Sequence, residues 1–552
     1  MRFRFLAIFL LVTASGLAQK ADLVLTGGVV WTGNEQHPRA EAVAVRQGLL
    51  AAVGSADEIA GWIGPETMVI DLRGRLLLPG FIDNHTHFMS GGFQLQNVDL
   101  RQAKSIREFA RLIAERARKS PTRWITGGDW DHDAWVGGTL PTKEAIDSLT
   151  PATPVFVNRY DGHMALANSY VLRLAGITKQ TKDPPGGTIV RNEKTGEPTG
   201  VLKDEAMTMV YRVVPDPTEQ EMTDAARLAL AEARMYGVTS IQDVSSPADV
   251  AVYRKLQEKN ELTSRMTCRL PIAMTEELVR AGLKVHSGDT WVRTGSLKAF
   301  ADGSLGSTTA LFFAPYVSDP GTKGLASDIV LNGQLERWAL MADRAGMQLS
   351  IHAIGDSANS LVLDIFDKIV KSNPAWDRRF RIEHAQHIQP GDFDRFARLG
   401  VIASVQPYHA IDDGRWAVGR IGAERCKTTY AFRSFLDHGV HLCFGSDWTV
   451  APLNPLLGIY AAVTRATTDG KNPNGWYPEQ KVTLDEALKA YTVANAYAAF
   501  EENEKGSIAT GKLADLVVLS ENLLLIPPAH IRDVKVDMTI VGGRVLYDRA
   551  QA

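Results

Sequence analysis

The chain has 552 residues, 45% of them hydrophobic and 22% charged, an ordinary globular composition with room for more than one structural unit. Its 60 Lys and Arg nearly balance its 63 Asp and Glu, for a formal net charge of −3. No basic block or stripe stands out, which argues against a polyanion-binding protein, so no nucleic-acid partner is expected.

Arg2 and Arg4 precede an apolar run at 5–12, and small residues follow through Ala18. A basic start, a short apolar middle and a small-residue exit are the layout of a secretory signal. Residues 1–18 are therefore expected to be a cleaved signal peptide, making the protein exported, either periplasmic or secreted. No later stretch is long and apolar enough to promise a membrane span. The three cysteines, Cys268, Cys426 and Cys443, form no CxxC pair; burial is expected for all three, with one pairing left open.

Short strand-like segments follow at 21–30, 41–53 and 69–78, broken at Gly27-Gly28 and Gly48. The same texture returns at 514–519 and at 537–547 around Gly542-Gly543. Matching strands at distant ends predict one small β-sandwich built from residues 19–78 and 501–552. The barrel-like middle, 79–500, would be inserted between its halves.

In that middle, apolar strands alternate with helical stretches such as 223–236 and 335–345, the pattern of a parallel sheet with helices outside. Eight candidate strands lie at 80–87, 238–243, 265–270, 297–302, 348–352, 381–384, 402–407 and 442–447. Eight such units close into a (β/α)₈ TIM barrel, an α/β fold. About 150 residues separate the first two strands, far beyond a usual crossover. An inserted subdomain at 121–203 is expected there, with strand-like pieces at 124–128 and 155–159.

The histidines carry the main chemical signal. His85 and His87 stand two apart at the end of the first strand, so both point to one side. His352 closes the fifth strand, His384 the sixth, and Asp447 the eighth. Barrel enzymes keep their sites at that end of the strands, and four imidazoles with a carboxylate suit zinc or a similar divalent ion. A satisfied core histidine explains any one of these residues but not five at matched strand ends. Lys298 sits within the apolar fourth strand, where an unpaired ammonium is costly. Two readings stay open for it: an ion pair with Asp302, or carboxylation by carbon dioxide to give a carboxylate able to bridge two metals. Trp130, Trp135, Tyr408 and Trp448 adjoin the motifs and are candidates for an aromatic substrate wall, although each could equally be packing. His163, in the polar turn Asp161-Gly162-His163, is read as a substrate or transition-state contact or as a turn residue. His387 and His409 are expected to face away.

The set of motifs resembles the amidohydrolase superfamily, in the subgroup that includes N-substituted formamide deformylase (amidohydrolase family 3). The carriers are His85-Thr86-His87 after Gly80-Phe81-Ile82-Asp83, the run from His352 to Asp356, Arg381-Ile382-Glu383-His384, and Phe444-Gly445-Ser446-Asp447-Trp448. Gly127-Gly128-Asp129-Trp130-Asp131, Pro185-Gly186-Gly187 and the run from Phe300 to Ser307 add to it. The resemblance implies that His85 and His87 hold the more buried metal and that His352 and His384 hold a second. It implies that Lys298 bridges the pair and that Asp447 both binds metal and moves protons. The cofactor would then be one or two divalent ions, Zn²⁺ first among them, acting by activating water. The expected activity is hydrolysis of a non-peptide C–N bond in a small molecule such as an amide, formamide or cyclic amide. An esterase or lactonase, a metal-holding binding protein without turnover, and a transferase or decarboxylase on the same fold are the other readings. Homo-oligomerisation is left open.

Overall fold

The computed structural model describes residues 20–551 apart from 120, 122, 133–134, 136–137, 160–163 and 185–186. The expected signal peptide, and His163 with its turn, therefore lie outside the described residues.

Eight strands of the nine-stranded central sheet follow in chain order, β1 (Phe81–Thr86), β2 (Val238–Val244), β3 (Arg265–Pro271), β4 (Val292–Phe300), β5 (Gln348–Ala353), β6 (Arg381–His384), β7 (Ile402–Val405) and β8 (Leu442–Phe444), and the ninth, Ser287–Gly288, pairs antiparallel with β4. Each of the eight pairs in parallel with the next. The ring closes just beyond the strand ends. Asp447 N–H donates to the His85 carbonyl at 2.7 Å, and His87 N–H donates to the Trp448 carbonyl at 2.7 Å. Thr86 and Trp448 form a parallel bridge there. Gly445 permits this approach, because a Cβ at that position would lie 2.7 Å from His85 N and 2.4 Å from Asn84 Oδ1. Helices outside the ring begin with the expected signals. Thr218 and Glu221 form a capping box before Glu219–Met235, and Ser246 with Asp249 does the same before Pro247–Glu258.

Three strands depart from the sequence expectation; β8 ends at Phe444 and not at 447. β4 starts five residues earlier than expected, because Arg293 breaks the apolar pattern that marked the strand. Its guanidinium is ion-paired inside, at 3.0 Å from Glu501 and 2.7 Å from Glu504. β7 ends at Val405, because Pro407 opens the helix Pro407–Asp413, where a missing N–H costs nothing.

Both chain ends build the second unit. Leu23–Thr26, Ala42–Arg46, Leu49–Gly54 and Met68–Asp71 form a four-stranded sheet. A six-stranded sheet joins Val29–Trp31, Arg39–Ala40 and Leu76–Pro79 to Leu516–Leu519, Val536–Val541 and Arg544–Asp548. Its junction is antiparallel, with Leu516 opposite Pro79. Leu23, Leu25, Val43 and Val45 from one sheet share a core with Val30, Leu77, Leu516 and Val518 from the other, so the two sheets pack face to face.

The long stretch between β1 and β2 carries a five-stranded sheet of Ile125–Trp130, Val155–Arg159, Met164–Ala167, Gly187–Arg191 and Pro198–Asp204. Phe109 and Ile113 of the helix Ile106–Lys119 share a core with Ile125, Trp130 and Val157. This unit thus reaches further back than residue 121. All three cysteines are buried and unpaired. No helix among the described residues is long and apolar enough to cross a membrane.

Candidate metal centre

The strand ends at the C-terminal rim bring their imidazoles and a carboxylate together. Asp447 Oδ1 lies 3.3 Å from His87 Nε2 and 3.7 Å from His85 Nε2. One ligand atom from each of His85, His87 and Asp447 falls within 4.8 Å of the others, and the same holds for His384, His409 and Asp447. Asp447 belongs to both groups. The His85 and His384 rings are 4.9 Å apart between centroids. His384 (φ 73°) and Asp447 (φ 56°) are both left-handed. That conformation is uncommon outside glycine and is held only where the surroundings impose it. Here it falls on two residues that leave their strands to reach the cluster.

Neighbouring side chains fix the rings. Glu383 Oε2 is 2.5 Å from His85 Nδ1, and Gln406 Oε1 is 2.8 Å from His384 Nδ1. With Nδ1 engaged, each ring has its Nε2 left for the cluster, the usual way a buried partner sets a metal-binding tautomer. Glu383 is itself anchored by Arg269 and Arg381, each at 2.9 Å, and by the Ser404 hydroxyl at 2.6 Å. Burial alone would raise its carboxyl, but the two guanidiniums outweigh this and hold it well below the ordinary carboxylate value. Burial pushes His85 and His384 well below the usual imidazole range, leaving neutral rings with lone pairs to offer. At Asp447 burial pushes upward, but the contact with His87 is the largest influence the other way, and the carboxyl lies below its ordinary value.

This donor set fits a divalent cation. His409 Nε2 and Asp447 Oδ1 are buried without a hydrogen-bond partner, and such atoms call for a partner that the protein does not supply. Neutral imidazoles and one carboxylate are the chemistry that borderline divalent ions prefer.

The expected site residues divide. His85, His87, His384 and Asp447 converge as anticipated. His352 packs against His384 with ring centroids 4.4 Å apart, yet its Nε2 lies 3.0 Å from the Gly303 carbonyl, and it belongs to neither group. Lys298 is buried within the rim, its Nζ 3.5 Å from His85 Nε2 and 4.5 Å over the Phe300 ring. Burial pushes this amine down to about 7. The alternative pairing with Asp302 is not what the structure holds, since Asp302 accepts from the backbone N–H groups of Leu311, Ile354 and Gly355.

Trp130 is 0% exposed, with its indole N–H on the Val157 carbonyl and its ring against Phe109. It is core of the inserted unit rather than a substrate wall, and Trp135 packs beside it. Trp448 lies edge-on to Phe88, over Gly91, where a Cβ would meet its ring at 2.3 Å. Tyr408 is half-buried on the helix that carries His409.

His409 is the correction to the sequence reading, which turned it away from the site. The available signal was its position, just after the seventh strand and behind a helix-opening proline. His387 does face elsewhere, with Nδ1 2.8 Å from the Thr429 hydroxyl. Phe300 opens one of the motifs and was given no role by the sequence. It is 44% exposed, and its ring lies 5.2 Å from that of His352.

A parallel eight-stranded barrel with imidazoles and a shared carboxylate at its rim has the layout of a metal-dependent hydrolase. Residues 68–547 match the Amidohydrolase family, and the chain belongs to that family. It is 39% identical over 545 residues to Protein LONG AFTER FAR-RED 3 of Arabidopsis thaliana, covering 96% of this chain and 92% of that one. N-substituted formamide deformylase of Arthrobacter pascens is 27% identical over 548 residues, covering 97% and 99%. Among solved structures, an uncharacterized metal-dependent hydrolase from Pyrococcus horikoshii OT3 superposes with a TM-score of 0.77 at 27% identity, covering 92% of this chain and 99% of that one.

Proposed function

We propose that this protein hydrolyses a non-peptide C–N bond of a small molecule: an N-substituted amide, a formamide or a cyclic amide. The observation that carries the reading is Asp447, a carboxylate shared by two groups of imidazoles at the barrel mouth. The relative named N-substituted formamide deformylase makes formamides the first class to try.

His85, His87, His384 and Asp447 would hold the cation, with zinc the first ion to test. A divalent ion bound there supplies Lewis acidity, which polarises a carbonyl and acidifies water. The chain's own part is orientation and proton movement. Glu383 and Gln406 hold the His85 and His384 rings in place. Asp447 accepts a proton from the attacking water and returns it to the departing nitrogen as the C–N bond breaks. The products are a carboxylic acid and an amine. We assign His163 a substrate or transition-state contact and Tyr408 a share of the substrate wall; Trp448, packed in the core with Phe88 and Tyr253, is left out of it.

Lys298 is the remaining candidate. Attack of its neutral amine on carbon dioxide, with loss of the N–H proton, would give a carbamate beside His85. The mass of intact protein should then exceed that of the chain by one carbon dioxide, and Lys298→Ala should lack the increment.

A panel of formamides, other amides, cyclic amides and lactones, assayed before and after chelation, tests the main reading. Amide turnover that vanishes with chelator and returns with divalent metal is expected. Turnover of lactones alone, or amide turnover indifferent to chelator, would overturn it.

A further inference from the structure

We infer that Asp243, near the end of β2, is a positioning residue that sets the aim of His87 by holding the chain on either side of it. The inference rests on the reading of the rim as a metal centre with His87 among its ligands.

His85 and His384 are held through their own rings, by Glu383 and Gln406 on Nδ1. His87 is held differently. Its side chain is 34% exposed and its Nε2 lies 3.3 Å from Asp447 Oδ1, but no side chain among the described residues engages its Nδ1. His87 is also the residue before the helix Phe88–Gln96. A residue there commonly turns its side chain back to cap the first N–H groups of the helix, which have no partner within it. His87 makes no such cap, so its ring is spared for the cluster.

Asp243 takes over that task from the neighbouring strand. Its Oδ1 accepts from Phe88 N–H at 2.7 Å and from the Thr86 hydroxyl at 3.2 Å. Its Oδ2 accepts from the Ser245 hydroxyl at 2.6 Å and the Tyr253 hydroxyl at 2.9 Å. Asp243 is fully buried, and all four contacts are with uncharged groups. The residues before and after His87 are thus tied to β2, while His87 N–H is tied across the seam to the Trp448 carbonyl at 2.7 Å. Three consecutive residues are fixed between β2 and the seam, which leaves the His87 ring only its own torsions. Partners of this kind fix a ligand without touching the ion.

Co²⁺ binding to metal-free full-length protein tests this without any substrate. Affinity is read by competition with a chromophoric chelator, ligand geometry by visible absorption, and folding by circular dichroism and thermal melts. Asp243→Ala should weaken Co²⁺ binding by roughly 10- to 100-fold, the range for residues that orient ligands, and should alter the visible spectrum. Asp243→Asn should recover most of the affinity. Its carbonyl still accepts from Phe88 N–H, while its amide turns to the Ser245 and Tyr253 hydroxyls. Ser245→Ala combined with Tyr253→Phe cuts only the Oδ2 bonds, and should lower the melting temperature while leaving affinity and spectrum native. Native affinity in folded Asp243→Ala would overturn the inference. So would an equal loss in the Ser245→Ala, Tyr253→Phe variant, because Asp243 would then serve only the fold. If Asp243→Ala does not fold, Asp243→Ser, which keeps a small polar group there, carries the same expectation, and failure of both to fold would also overturn it. A native chain that takes up no Co²⁺ would overturn the metal reading of the rim and this inference with it.

Discussion

The two ends of the barrel bury charged and polar groups with different outcomes. At the N-terminal end, Arg265 grips Asp515 through two hydrogen bonds of 2.6 and 3.0 Å. Arg293 reaches Glu501 and Glu504, and Lys505 spans Glu501 at 2.8 Å and the Ser240 hydroxyl at 2.9 Å. Every cation there has an anion. At the C-terminal end imidazoles crowd round one carboxylate; buried atoms without a hydrogen-bond partner occur at both ends, His409 Nε2 and Asp447 Oδ1 at the rim and Arg293 Nε opposite. Burial of charge therefore does not mark function by itself. The end held by Lys and Arg ion pairs fastens the barrel to the segment that leads into the sandwich, whereas the rim gathers imidazoles and a carboxylate that could serve a ligand.

The most severe way to break the comparison is to remove the ion-paired end. Truncation after Gly506 deletes Asp515 and the strand Leu516–Leu519, leaving Arg265 buried without its anion and Leu76–Pro79 as an open edge. Near-complete loss of soluble protein is expected, read by sedimentation and circular dichroism. A soluble truncated chain with native metal content would show that the two ends of the barrel are uncoupled.

Emptying the other end should spare the fold. His85→Ala combined with His87→Ala removes two rings of the rim, while Arg269, Arg381 and Ser404 still anchor the Glu383 carboxylate. Metal should be lost, and activity should fall by about 10³-fold or more, since the ion supplies several kcal/mol of transition-state stabilisation. The melting temperature of metal-free protein should stay close to that of the metal-free native chain. Activity retained in this double variant would sink the metal reading.

A single change sharpens the contrast. Glu501→Gln leaves Lys505 and Arg293 buried with a weakened partner and should cost about 3–5 kcal/mol, as for other broken buried pairs, with metal content unchanged. A pH signature accompanies it. Burial pushes the Glu501 carboxyl up, but Lys505 and Arg293 prevail and hold it below its ordinary value. Its contribution is therefore fully present above the unfolded value near 4.5 and is lost as pH falls through the lower folded value. Denaturant melts across that acid range should be steeper in pH for the native chain than for Glu501→Gln.

The smallest expected effect lies between the two ends. Glu383→Gln keeps the shape of the His85 partner but removes its charge. Partners of this kind are worth roughly 10- to 100-fold in metal affinity, measurable by competition with a chromophoric chelator. An unchanged affinity would mean that Glu383 serves Arg269 and Arg381 and not His85.

Much of this was legible in the chain. The alternation of apolar strands with helices located all eight barrel strands, and ligands at matched strand ends located the rim. What escaped has physical reasons. Arg293 hid the start of β4 because a polar residue inside a barrel breaks the apolar signal that reveals a strand. The left-handed backbone at His384 and Asp447 re-aims two side chains, and no residue-type pattern announces such a conformation outside glycine. His409 depends on how a helix folds back after Pro407, which is a tertiary fact. Trp130 and Trp135 adjoin the expected motifs along the chain, but adjacency does not say which way a ring points, and both turned into the inserted unit's core.

The seam of the barrel sets an order in time. The ring is stitched by Asp447 N–H on the His85 carbonyl and by His87 N–H on the Trp448 carbonyl, so the donors of the rim are also its fasteners. A ribosome makes His85 and His87 early and Asp447 late, and the strand Leu76–Pro79 waits still longer for Leu516–Leu519. The nascent chain therefore holds half a site on half a sandwich for most of its synthesis. Both are completed only when the later segments that carry Asp447 and Leu516–Leu519 have been made.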